Sequence, residues 1–260
     1  MNWLLVPVVV LAALFYLLGY KLGSKPVHWL AWIAAIACAV PAVLMAAYYL
    51  HLYDDALWFY QFRALPFSEM SAAPAGLLCG LFHAQTAKRA TLMGVLMPGL
   101  LLLGLFIPYV KPVILPLDLD ELKAVCTDGV CLQTAASTCG PASAASVLRL
   151  FGAEDTEKTL AVEAFTSARG TENWYLARAL RRRGFDVRYE ILDRPVTKLP
   201  YPSVAGVKLP SGVGHFIAVL GETSDAYILG EPLSGRLIVP KARINTVYTF
   251  TGFFMVIRRP

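Results

Sequence analysis

The chain has 260 residues, 57% of them hydrophobic, and a formal net charge of +5. An ordinary soluble domain is roughly 45–50% apolar, so a single water-soluble domain is excluded, and so modest a charge does not imply nucleic acid as a partner. The apolar excess is concentrated early. Residues 1–20, 26–53 and 90–110 carry no charged side chain, and each is long enough for a membrane helix of roughly 20 residues. Residues 70–87 are also uncharged but diluted by small and polar side chains. The expected organisation is a transmembrane helical region of three or four spans over residues 1–115, followed by a soluble domain over 116–260. The first segment has no basic leader, and "YKLGSK" is a poor cleavage site, so it reads as a retained anchor. Cys38 and Cys79 lie in apolar segments and read as packing residues.

Sidedness follows from the basic residues. Lys21 and Lys25 follow the first span, while Lys88 and Arg89 precede the last. Lys and Arg collect in cytoplasmic loops. With four spans both pairs are cytoplasmic, and the acidic loop with Asp54, Asp55 and Glu69 faces out together with the soluble domain. With three spans residues 70–87 are interfacial or extend the next helix, and either orientation survives. In "VCTDGVC", Cys126 and Cys131 flank an Asp128-Gly129 turn. They form either a hairpin disulfide, which persists in oxidising compartments, or a pair of reduced thiols. The preferred reading is a multi-pass protein of the cell membrane with its soluble domain on the outer face.

In the soluble half, Val130 to Thr134 reads as extended, and "CGPASAASVLRLFG" as a helix with Pro141 in its first turn and Gly152 at its end. "TEKTLAVEAFTSA" and "TENWYLARALRRRG" read as two more helices, the second capped by Thr171 and closed by Gly184. Arg181, Arg182 and Arg183 read as a solvated helix end, and Trp174 and Tyr175 as core. Short strand-like runs then follow: "FDVRYEI", "SVAGVKL", "HFIAVLG", "DAYILG", "RLIVP" and "TVYTFTGFFMVIRR". Helices first and strands later argue for an α+β fold with an antiparallel sheet.

The chemistry rests on few residues. Of four histidines only His215 lies in the soluble half, so a thiol enzyme has one candidate base. Cys139 stands where a polar loop becomes a helix, and a helix N-terminus beside an imidazolium favours a thiolate. Gln133 stands six residues earlier. Its amide and the Cys139 backbone N–H could both donate to an oxyanion. Glu231 ends the strand after that of His215 and could accept the other ring N–H, or else accept backbone N–H groups of its own turn.

Gln133, "TCGPASAASVL", "GHFIAVL" and an acid followed by Pro together resemble the bacteriocin-processing cysteine peptidases. Those papain-like enzymes cut leader peptides after a double glycine, often at the N-terminus of an ABC exporter. The resemblance spans roughly residues 125–236. It implies a papain-like fold with Cys139 as nucleophile, His215 as base, Glu231 as orienting acid and Gln133 in the oxyanion hole. Two departures stand out. The family pattern has Asp-Pro where this chain has Glu231-Pro232, one methylene longer. "GYKLGSK" lacks the spacing of a phosphate loop, and the soluble domain follows the membrane part, so the double-glycine preference does not carry over.

The expected function is a membrane-anchored cysteine peptidase with a peptide or protein substrate, the lipid bilayer and a secretion system as partners, and no cofactor or metal. A zinc site from Cys126, Cys131, Cys139 and His215 lacks paired ligand spacing. The other readings are a degenerate domain that binds peptides without cutting them, and an acyl transferase using the same groups.

Overall fold

The computed structural model describes residues 3–53, 55–86, 99 and 111–259. The expected span over 90–110, with Lys88, Arg89 and Asp54, lies outside the described residues. Contacts divide the chain into two units, one comprising residues 1–54 and 66–111, the other residues 55–65 and 112–260.

In the first unit, helices α1 (Leu5–Gly23) and α2 (Trp29–Tyr49) are each long and apolar enough to cross a membrane. Residues 70–87, expected as a continuous segment, are broken: a 3-10 turn, Ser68–Ala72, precedes helix α4, Ala75–Thr86. Pro74 lies at the break and cannot donate a helix hydrogen bond. Glycines bring α1 and α4 into backbone contact. A Cβ on Gly76 would lie 2.2 Å from the Ala12 carbonyl oxygen, one on Gly80 2.0 Å from that of Tyr16, and one on Gly19 2.1 Å from that of Leu77. Such spacing of small residues is how helices pack closely in lipid, where no hydrophobic effect draws them together. Ala12 with Gly76, Tyr16 with Gly80 and Gly23 with Ala84 advance together, so the two helices run parallel. At their shared end Gln85 Nε2 donates to the Gly23 and Lys25 carbonyls, at 2.6 and 3.0 Å.

The second unit is α+β. Helix α3 (Leu57–Arg63), a hairpin of β1 (Cys126–Thr127) and β2 (Val130–Cys131), then α5 (Cys139–Leu150), α6 (Glu157–Glu163) and α7 (Asn173–Arg182) precede most of the sheet. The strands are β3 (Asp186–Ile191), β4 (Ser203–Lys208), β5 (Gly214–Glu222), β6 (Ala226–Glu231), β7 (Gly235–Pro240) and β8 (Thr249–Arg258). Their order is β3-β8-β4-β5-β6-β7, antiparallel throughout. Alternate residues point to one face of a strand, and Ala205 with Val207, Ile217 with Val219, and Tyr227 with Leu229 build one buried cluster with Leu199 and Phe254. Helix α5 is buried from Gly140 to Leu148. Its alanines and serines let it lie close to β5, and Ser143 Oγ donates to the Phe216 carbonyl at 3.0 Å.

Three expectations change. Residues 55–65, assigned with the membrane region, fold into the second unit because α3 buries Phe59 and Tyr60. Phe59 meets Trp174 edge-on, and Tyr60 meets Tyr189 and Phe253. The arginine cluster is only in part a solvated face: Arg182 is exposed, while Arg181 and Arg183 are tied into the fold. Arg178 and Arg181 donate to the Arg63 and Ala64 carbonyls at 2.5 and 2.9 Å, which caps the exposed C-terminal dipole of α3. Arg183 pairs with Asp155 and Glu163. Helix α7 is preceded by Glu172, not capped by Thr171, whose hydroxyl instead bonds that of Thr166 at 2.8 Å. Trp174 and Tyr175 are core, 0% and 2% exposed.

Candidate active site

Cys139 is the first residue of α5 and is half-buried. Pro141 and the small residues behind it fit a helix that starts against a sheet, so the thiol sits where the unpaired N–H groups of the first turn point. His215 is the second residue of β5 and Glu231 the last of β6. The antiparallel pairing of these strands, with Ala218 opposite Gly230, brings the two side chains to one end of the sheet. His215 Nε2 lies 2.6 Å from Glu231 Oε1, and both residues are 6% exposed.

With Nε2 committed to Glu231, the other ring nitrogen is left for Cys139. Burial pushes the His215 pKa down, but hydrogen bonds to Cys139 and to Glu231 outweigh it and raise the imidazole to about 9. The imidazole thus bridges thiol and carboxylate, and at neutral pH it is held protonated. A thiolate beside an imidazolium is the reactive state of a thiol nucleophile.

Glu231 has further partners. Its Oε1 accepts the Leu233 N–H at 3.3 Å and its Oε2 the Tyr248 hydroxyl at 3.0 Å. Burial raises the Tyr248 pKa, and Glu231 raises it further, so the phenol remains a donor. The longer acid therefore reaches His215 with one oxygen and Tyr248 with the other. Tyr248 escapes sequence reasoning because it lies beyond β7, and no local pattern marks it.

Gln133 lies in the loop between β2 and α5. Its backbone N–H donates to the Pro232 carbonyl at 2.9 Å, which ties the loop to the turn after Glu231. Its Nε2 donates to the Ala135 carbonyl at 3.0 Å, and the second N–H of that amide is left over. A disulfide joins Cys126 to Cys131 across the β1–β2 hairpin, so neither is available as a metal ligand. Among the described residues no group of His, Cys, Asp and Glu is arranged to hold a metal ion.

Residues 128–260, just over half of the chain, match the Peptidase C39 family along their whole length. The chain belongs to the Peptidase C39 family. The matched stretch contains Gln133, Cys139, His215 and Glu231. This C39 domain is also similar to two proteins described as uncharacterized. One, from Methanothermobacter thermautotrophicus, is 30% identical over 50% of this chain and 89% of that protein. The other, from Methanothermobacter marburgensis, is 29% identical over 55% of this chain and 98% of that protein. Among solved structures, the chain is similar to the peptidase domain of Streptococcus ComA, a bifunctional ABC transporter involved in quorum sensing. That match has 24% identity and a TM-score of 0.43, covering 50% of this chain and 96% of that domain. A double glycine motif protease from an AMS/PCAT transporter, solved with its leader peptide, matches with 20% identity and a TM-score of 0.44 over 54% of this chain and 96% of its own.

Proposed function

We propose that this protein is a membrane-anchored cysteine peptidase that hydrolyses a peptide or protein substrate at the membrane surface. The observation that carries the reading is the single imidazole set between a helix-start thiol and a buried carboxylate. In the proposed mechanism the proton of Cys139 already rests on His215, and the thiolate of this pair adds to the scissile carbonyl carbon. The Cys139 N–H and the Gln133 amide donate to the oxyanion that forms, as fixed donors do in acyl transfer. Collapse breaks the C–N bond, His215 protonates the departing amine, and a thioester remains. His215 then takes a proton from water, which attacks the thioester and releases the carboxylate and the thiol. Glu231 fixes the ring orientation and balances the imidazolium charge.

The domain is proposed to face away from the cytoplasm. With the four spans expected from the sequence, Lys21, Lys25, Lys88 and Arg89 fall on one side, which the charge bias makes cytoplasmic, and the peptidase domain falls on the other. The Cys126–Cys131 bridge suits an oxidising compartment.

The test uses the full chain in detergent, incubated with a secreted peptide pool. Unsubstituted protein should release fragments with free carboxylates, and Cys139→Ala should release none. Capture of peptides without cleavage would leave a binding module, and ligated products would make it a transferase. For sidedness, in a Cys139→Ala background, an impermeant thiol reagent on intact cells should label Ser211→Cys but not Lys25→Cys; the reverse pattern overturns the orientation.

A further inference from the structure

Glu157, the first residue of α6, is fully buried, 0% exposed. A buried carboxylate survives only with its lone pairs satisfied, and Glu157 is satisfied by one loop. Oε1 accepts the Thr134 N–H and Oε2 the Thr134 hydroxyl, each at 2.7 Å, and Oε1 also accepts the Thr138 hydroxyl. Thr138, 0% exposed, in turn accepts the Ala135 N–H at 3.3 Å. The Ala135 carbonyl is the acceptor for the Gln133 side chain at 3.0 Å.

This loop begins at Gln133 and ends at Cys139. Its first residue carries the side-chain donor and its last the backbone donor of the oxyanion site described above. We infer that Glu157 is a positioning residue for that site: it fixes the distance and angle between the Gln133 amide and the Cys139 N–H. The inference rests on the peptidase reading. Glu157 touches neither the thiol nor the imidazole in this arrangement, so its effect falls on oxyanion stabilisation and not on thiolate formation. Donors that are fixed in advance stabilise a developing oxyanion without reorganising, and a misplacement of about 1 Å costs on the order of a hundredfold in rate.

Two reactions of Cys139 separate these effects. Peptide hydrolysis passes through an oxyanion. Alkylation by iodoacetamide is a displacement at saturated carbon, in which sulfur bonds to the CH2 as iodide leaves, and no oxyanion develops. In the full chain, Glu157→Ala should lower kcat for hydrolysis by about 10- to 100-fold, with KM little changed. The alkylation rate should stay within about twofold, since thiolate formation is untouched. Glu157→Gln, which keeps the shape and one acceptor oxygen, should recover most of the loss. Where Glu157→Ala fails to fold, Thr134→Val is read instead and should show the same split at smaller amplitude. Equal falls in hydrolysis and alkylation by a folded variant, unchanged hydrolysis, or no recovery with Gln would each overturn the assignment. If the unsubstituted protein alkylates but hydrolyses nothing, the peptidase reading itself fails, and the positioning role with it.

Discussion

Replacing Glu231 by Gln tests the central pair most directly. The substitution preserves shape and removes a charge 2.6 Å from His215 Nε2, at a site where both residues are 6% exposed. Two hydrogen bonds, from Cys139 and Glu231, raise the imidazole to about 9 against burial, which lowers it. An opposite charge at such a distance shifts a pKa by about 1–3 units, and each unit is about 1.4 kcal/mol. Loss of the carboxylate therefore lowers the His215 pKa, and the alkaline limb of kcat/KM should move from near 9 down to about 6–8. At pH 8 this alone removes much of the imidazolium, and the amide can also misorient the ring, so the expected loss is about 10- to 100-fold. The sign is fixed: a raised native pKa stabilises the fold at pH below the ordinary histidine value, and that contribution fades as pH rises through about 9. The unsubstituted protein should thus lose this stability between roughly 6.5 and 9, and Glu231→Gln should flatten the dependence. Stopped-flow pH profiles of hydrolysis, with thermal melts at matched pH, measure both. Superimposable profiles with less than a twofold rate loss would remove Glu231 from the catalytic set.

Other perturbations follow from neighbouring contacts. Tyr248→Phe deletes the hydroxyl that holds Glu231 Oε2; kcat should fall several-fold at constant KM, with about 1.5–3 kcal/mol of stability lost, seen by steady-state kinetics and denaturant titration. Arg181→Ala removes donors to the Ala64 and Val187 carbonyls; α3 should loosen by about 1–3 kcal/mol, read as faster proteolytic nicking between residues 52 and 66. Gly80→Val forces a side chain into the Tyr16 carbonyl; overpacking of about 1–3 kcal/mol or more should lower the melting temperature of the first unit in detergent, while Gly99→Ala should not.

The candidate site residues were legible for a simple reason. Cys139 and Gln133 sit on one short loop, and His215 is the sole histidine of the soluble half. Glu231 required only that two short strands pair as neighbours. What stayed hidden depends on distant partners. Nothing local distinguishes Glu157 from any other first-turn glutamate, because its role comes from Thr134 and Thr138, some twenty residues earlier. "LWFYQFR" sits between apolar segments and reads as a connecting loop; its place in the second unit depends on Trp174, Tyr189 and Phe253. Arg181 looked solvated because its acceptors are backbone carbonyls, which carry no sequence signature.

That α3 belongs to the second unit has a consequence for synthesis. Ribosomes add about 5–20 residues per second, and the strand that covers Tyr60 ends at Arg258. For roughly 10–40 s after it is made, by the same rate, Tyr60 lacks the β8 side of its contacts, although Tyr189 of β3 is made earlier. Phe59 can meet Trp174 as soon as α7 is made, but Tyr60 gains Phe253 only when β8 arrives. Completion of the second unit around α3 therefore waits on β8.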